Sequence, residues 1–177
     1  SRLVRDYLDQ KSTAAPFYEG SPRNLESFRD KVAEVNGRFG LREREATAAA
    51  LKPGSPTAQE RLDRWVRQGG AVVTTGQQAG LLTGPLYTIY KALSTVVLAE
   101  HLERTLGIIV LPVFWIASED HDWAEVNHTF LLDPRGKLAR FEVRSDDQRT
   151  LSMSHRQLPK DVETVCGDIR QYVGADE

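Results

Sequence analysis

Hydrophobic and polar positions divide the chain near residue 70. Before that point, apolar residues recur at helical spacing within polar sequence. "RLVRDYLD" places Leu3, Val4, Tyr7 and Leu8 on one face of a short helix. Ser21 and Pro22 supply a cap and a first-turn proline, ahead of Leu25, Phe28, Val32 and Val35 at spacings of three and four. Gly37 and Gly40 are expected to close that helix. "LREREATAAAL" predicts a third helix, stopped by Lys52-Pro53-Gly54. A fourth should run from Ser55-Pro56 to Gln68 with Leu62, Trp65 and Val66 inward, before Gly69-Gly70.

The pattern changes at Ala71. "AVVTT" reads as a short buried strand, and Leu86 to Leu106 as a long helix with Ile89, Leu93, Val96 and Val97 on one face. "IIVLPVFWIA" follows as a second, wholly apolar strand. Its regular part is expected from Val113, because Pro112 would remove a ladder hydrogen bond; Phe114 and Trp115 are assigned to the core. Strand, helix, strand is a βαβ unit, so Val72–Thr75 and Val113–Ala117 should be parallel neighbours. "HTFLL" and "KLARFEV" flank Asp133-Pro134-Arg135-Gly136, a type I turn signature, and predict a β-hairpin. Leu138, Phe141 and Val143 are its expected apolar contacts, and "PKDVETVCGDIRQYV" closes as an amphipathic helix. The expectation is an α/β fold: a helical region over 1–70, then a partial parallel sheet over 71–177 with a hairpin excursion. Two parallel-type strands are few for a sheet and the chain opens at Ser1, so a piece of a longer protein is expected.

Charge narrows the function classes. With 23 basic and 25 acidic residues, the net charge of −2 argues against nucleic acid as a partner. No apolar run is long enough to span a bilayer and no signal segment opens the sequence, so no membrane partner is expected. The single cysteine, Cys166, permits no internal disulfide and fits a reducing, cytoplasmic setting; its charged surroundings mark it as a bystander.

Ligands of open parallel sheets bind beyond the carboxyl ends of the strands. Here those ends carry "GQQAGLLTGPLYTIYK" and "SEDHDWAEVNH". Gly76, Gly80 and Gly84 match neither the dinucleotide fingerprint nor the Walker loop. They still permit close backbone approach, and Pro85 suits a helix start, where free N–H groups favour anions. Gln77 and Gln78 add donors and acceptors; Tyr87 and Lys91, four apart, share a helix face beside Tyr90. The competing reading is a tight strand–helix turn with half-buried tyrosines.

Glu119, Asp120, His121 and Asp122 are four ionisable groups in a row after a buried strand, costly unless solvated or used. His121 between carboxylates could act as a general base or acid. The carboxylates could equally hold Mg²⁺ beside a nucleotide or grip a substrate amine. The plainer alternative is a solvated turn with Asp122 as N-cap of "DWAEVN". Asn127 and His128 follow, as ligand contacts or as the first hairpin residues; His101 and His155 read as surface. A metal-dependent hydrolase using this cluster with His128 is a second function class. Successive side chains point to opposite faces, however, so no tightly bound zinc is expected. A non-catalytic binding module is the third.

"TTGQQAGLLTGPLYTIYKA" followed by "PVFWIASEDHDWAEVNH" closely resembles the BshC family, cysteine ligases of bacillithiol biosynthesis; "LVRDYL" and "APFY" resemble its opening. Similarity is strongest from Val72 to His128. The resemblance implies a Rossmann-like core distantly similar to class I aminoacyl-tRNA synthetases, with a connecting insertion starting over about 128–177. It implies joining of cysteine to the amino group of glucosaminyl-malate, and a strand–helix turn holding a nucleotide's phosphates at Gly84, Pro85 and Tyr87. ATP is then the expected cofactor and Mg²⁺ an option, because a free carboxylate needs activation before an amine attacks it. Lys91, Glu119, Asp120, His121 and Asp122 are the expected catalytic group. Gly76, Gln77, Gln78, Gly84, Pro85, Tyr87, Tyr90, Asn127 and His128 are expected to bind substrate or nucleotide. No His-Ile-Gly-His signature is present. Family members are longer and carry a C-terminal coiled coil that supports homodimers, so the fragment alone is expected to be inactive.

Overall fold

A computed structural model describes residues 2–18, 20–21, 23–147 and 149–174. The chain gathers into two units, each built from two segments: Ser1–Val73 with Leu98–Pro112, and Thr74–Val97 with Val113–Glu177. These units differ from a division at residue 70. The reason lies in the first core, where Ala99, Leu102 and Val110 pack with Leu25, Phe28, Ala71, Val73, Leu106 and Ile108.

The first unit holds helices α1 (Arg2–Leu8), α2 (Leu25–Arg38), α3 (Leu41–Ala50) and α4 (Pro56–Gln68). It also holds the start of strand β1 (Ala71–Gln78), the end of helix α5 (Tyr87–Leu106) and the start of strand β2 (Val110–Ala117). Leu25 and Phe28 of the expected α2 stripe meet the core, and Leu62 and Trp65 of α4 are buried. Each such aliphatic burial contributes about 1.5–3 kcal/mol. The start of α4 is as expected: Ser55 Oγ accepts from Ala58 N–H at 3.2 Å.

Two expectations fail here. Pro22 lies outside the described residues, and the cap of α2 is Asn24, whose side chain accepts from Glu26 N–H at 3.0 Å. That helix runs through Gly37 to Arg38. On α1, Leu3, Val4 and Leu8 are exposed and Asp6 is buried. Lys11 Nζ, 3.0 Å away, and the more distant Arg2 compensate that carboxylate, so charge pairing overrides the apolar stripe.

In the second unit, β1 and β2 continue as parallel neighbours, as the βαβ pattern predicts. β2 begins at Val110 and includes Pro112, not only Val113 onward. In a two-stranded sheet each strand has an unpaired edge, where a missing N–H costs no ladder bond. The expected apolar face of α5 is outward: Ile89, Leu93, Val96 and Val97 are all exposed. Thr88 and Thr95 are its buried positions in this unit, and small residues on a helix carry little hydropathy signal. Trp115, expected in the core, is 61% exposed.

The hairpin forms where expected, β3 (His128–Leu132) pairing antiparallel with β4 (Leu138–Glu142). Gly136 N–H donates to the Asp133 carbonyl at 2.9 Å and closes the turn. Val143 is buried and Phe141 stands edge-on to Tyr172, whereas Leu138 is exposed. Helix α6 (Trp123–Val126) precedes the hairpin; α7 (Val162–Val173) packs on β4 and ends at Gly174. Among the described residues no helix is long and apolar enough to cross a membrane.

Candidate functional site

The candidate residues lie within the second unit. β1 runs three residues beyond "AVVTT", so Gly76, Gln77 and Gln78 belong to the strand itself. Gly76 is required by close approach of β2: a Cβ there would stand 2.8 Å from the Trp115 carbonyl oxygen. From α5, Lys91 Nζ donates to the Gly76 carbonyl and, at 3.1 Å, to Gln77 Oε1. The same ammonium sits 5.7 Å from the Tyr87 ring centroid. Gln77 Nε2 donates to Gln78 Oε1 at 2.8 Å and to the Tyr87 hydroxyl at 3.0 Å. One network thus joins Gly76, Gln77, Gln78, Tyr87 and Lys91. Lys91 is tied into the fold and retains one of its three donors beyond these bonds.

The turn between β1 and α5 is a 3-10 segment over Leu81–Thr83. Leu82 at φ 50° and Thr83 at φ 76° are both left-handed. For ordinary side chains such conformations cost about 1–3 kcal/mol each and concentrate at functional sites. Gly84 also has positive φ, 72°, while crowding falls on Gly80, where a Cβ would stand 2.8 Å from Gly84 Cα. Helix α5 starts at Tyr87, one residue after the expected start. Thr88 and Ile89 N–H donate to the Pro85 and Leu86 carbonyls, so these first-turn donors are already engaged. Tyr90 is 62% exposed and points away from any packing role.

After β2 the acidic residues form a tight turn. Asp120 Oδ1 accepts from His121 N–H at 2.7 Å and from Asp122 N–H at 3.2 Å. The Asp122 and His121 backbone donors, joined by the Gln78 side chain, hold the Asp120 carboxyl below its ordinary range. Asp120 is therefore a fixed anion beside the end of β1. Asp122 caps α6, accepting from Glu125 N–H at 3.2 Å, as the plainer reading expected. Glu119 and His121 are exposed. Among the described residues no three His, Cys, Asp or Glu groups gather as a metal-ligating set. With the Asp120 and Asp122 carboxylates engaged in their own turn, the arrangement lends the hydrolase alternative no support.

Asn127 and His128 stand apart from this network. The Asn127 amide is buried and donates to Glu142 Oε1 at 3.1 Å and to the Val143 carbonyl at 3.2 Å, tying α6 to the end of β4. His128 stands edge-on to Phe130 at 5.5 Å. Sequence reasoning missed a cavity of about 290 Å³ beside the glycine loop, with Trp123, Met153 and Arg156 in its wall. Arg156 lies 4.9 Å from the Trp123 ring centroid. These residues are too far apart in the chain for local spacing to have joined them.

The family described as bacillithiol biosynthesis BshC, N-terminal Rossmann-like domain, matches residues 1–177. Several relatives carry the name "Putative cysteine ligase BshC". The protein from Oceanobacillus iheyensis is 35% identical over 91% of this chain, and that from Symbiobacterium thermophilum 37% over 98%. The Heliobacterium modesticaldum protein is 42% identical over 78%. The chain spans 30%, 32% and 25% of these three relatives' lengths.

Proposed function

The chain belongs to the BshC family, and from that premise we propose that its protein joins L-cysteine to the amino group of glucosaminyl-malate. The observation that carries this reading is the meeting of two strand ends in one unit: Gln77, Gln78 and Lys91 at β1, and the ionised Asp120 after β2. A condensation of carboxylate with amine needs a place for anions and a place for a cation. The glycine turn and the remaining Lys91 donor suit the anionic groups. Asp120, with exposed Glu119 and His121 beside it, suits an ammonium and its deprotonation.

ATP fits this reading as co-substrate, supplying activation of the cysteine carboxylate. Gly80 and Gly84 keep the turn compact, because a Cβ on Gly80 would meet Gly84 Cα, and a turn bare of side chains lets a phosphate approach its backbone. The left-handed Leu82 and Thr83 support a functional role for that turn. The test incubates full-length protein with cysteine, glucosaminyl-malate and ATP and follows products by mass spectrometry. The expected product has the summed mass of both substrates less one water and forms only with ATP. Absence of that product, with folded protein and all substrates present, overturns the proposal.

A further inference from the structure

We propose that the apolar cavity beside the glycine loop receives the side chain of the cysteine substrate. This rests on the cysteine-ligase reading above and assigns that substrate a place. The cavity, about 290 Å³, is walled by Leu81, Val126, Met153, Leu158, Trp123 and Arg156. That volume lies near the lower limit of small-molecule sites and admits an amino acid.

Three connections bind the cavity to the candidate site. Ala79, in its wall, directly follows Gln78. Trp123 directly follows Asp122. Met153 N–H donates to the Asp120 carbonyl at 2.8 Å, so the wall and the acidic turn share a backbone bond. A group in the cavity therefore lies against the same segments that carry Gln78 and Asp120.

The chemistry of the wall selects the occupant. A neutral thiol behaves as a small hydrophobe, and sulfur makes favourable contacts with aromatic rings and thioethers; Trp123 and Met153 supply both. The wall also carries Asn127, Gln157 and Arg156, whose Nε is buried without a hydrogen-bond partner, so discrimination against a hydroxyl rests on the apolar majority, Leu81, Val126, Trp123, Met153 and Leu158. Arg156 is held by its own structure, its two terminal nitrogens donating to the Asp147 and Arg149 carbonyls at 3.1 and 2.8 Å. Its positive charge opposes an ammonium inside the cavity, while Asp120 attracts one outside. The amino acid is thereby oriented side chain inward, with its amino group towards the acidic turn.

The test is calorimetric binding to full-length protein, with a non-hydrolysable ATP analogue present. Cysteine, L-2-aminobutyrate and L-serine are titrated into wild type, and cysteine into Met153→Trp and Leu81→Phe. The aminobutyrate should bind within about tenfold of cysteine and serine about a hundredfold more weakly, as an apolar pocket discriminates. Both filled variants should weaken cysteine at least tenfold, and Met153→Trp, which lies outside the glycine turn, should bind glucosaminyl-malate as wild type does. Should Met153→Trp fail to fold, Leu81→Phe and the ligand series still decide. Equal binding of serine and cysteine, or undiminished cysteine binding in a folded filled variant, overturns the cavity and leaves the ligase reading intact. No cysteine binding and no amide product in wild type overturns the ligase reading, and this inference with it.

Discussion

The two units bury different kinds of side chain. In the first, buried positions such as Leu62, Trp65, Leu102 and Val110 are apolar, with Asp6 the charged exception. In the second, Thr88, Thr95, Asn127 and Thr129 are as deeply buried as Val126 and Ile169. Large apolar side chains are exposed in both units, Leu3, Phe17 and Phe39 in the first and Leu93, Val97, Trp115 and Ile116 in the second, so the contrast lies in what is buried. Helix α5 passes from one regime to the other: Ala99 and Leu102 lie in an apolar core, whereas Thr88 and Thr95 are its buried positions near the site. The first unit is held by area removed from water. The second depends more on directed bonds, from Lys91 to β1 and from Asn127 to Glu142 and Val143 at the end of β4.

The largest effect should separate the two ends of α5. Leu102→Ala is expected to cost about 2–5 kcal/mol in urea unfolding, whereas Leu93→Ala should stay within about 0.5 kcal/mol. Equal losses would mean that the outward face is covered in the full-length protein and would break the comparison. Next, Lys91→Ala should lower stability by about 1.5–3 kcal/mol, because it removes charge-assisted bonds to Gly76 and Gln77. An exposed control, Lys160→Ala, should change it by less than about 0.5 kcal/mol.

The smallest effect concerns pH. The folded-state pKa of Asp120 is lowered, so the stability it contributes is fully present above the unfolded value of about 3.9 and is lost as pH falls through the folded value. The melting-temperature difference between wild type and Asp120→Asn should therefore be constant from about pH 5 to 7 and shrink below about pH 4. A difference that varies between pH 5 and 7 would show that the backbone donors do not hold this carboxylate ionised.

Local chemistry was legible where it acts alone. Ser55-Pro56 started α4, Asp133-Pro134-Arg135-Gly136 turned the hairpin, and the βαβ pattern placed β1 beside β2. Misreadings occurred where a distant partner decides. The inward face of α5 was hidden because threonines and alanines carry weak hydropathy, and Asp6 because its compensation comes from Lys11 and Arg2. Ser21 was a plausible cap, but Asn24 stands one residue before the helix. At the site, the residue types and the two loops could be read in advance. The N-cap at Asp122 was among the readings offered, whereas the positive φ of Leu82 and Thr83 and the cavity at Trp123 and Met153 depend on backbone paths that spacing does not encode.

The central claim is that the ends of β1 and β2 act as one site for joining cysteine to an amine. Initial rates of ATP-dependent amide formation by full-length wild type, Gln78→Ala, Asp120→Asn and the double variant test it most directly. If both residues serve one carboxylate position, each single change should lower kcat/KM at least about tenfold, and the double variant should fall little below the worse single. Wild-type turnover in Asp120→Asn, or fully additive losses at equal amounts of folded protein, would contradict it.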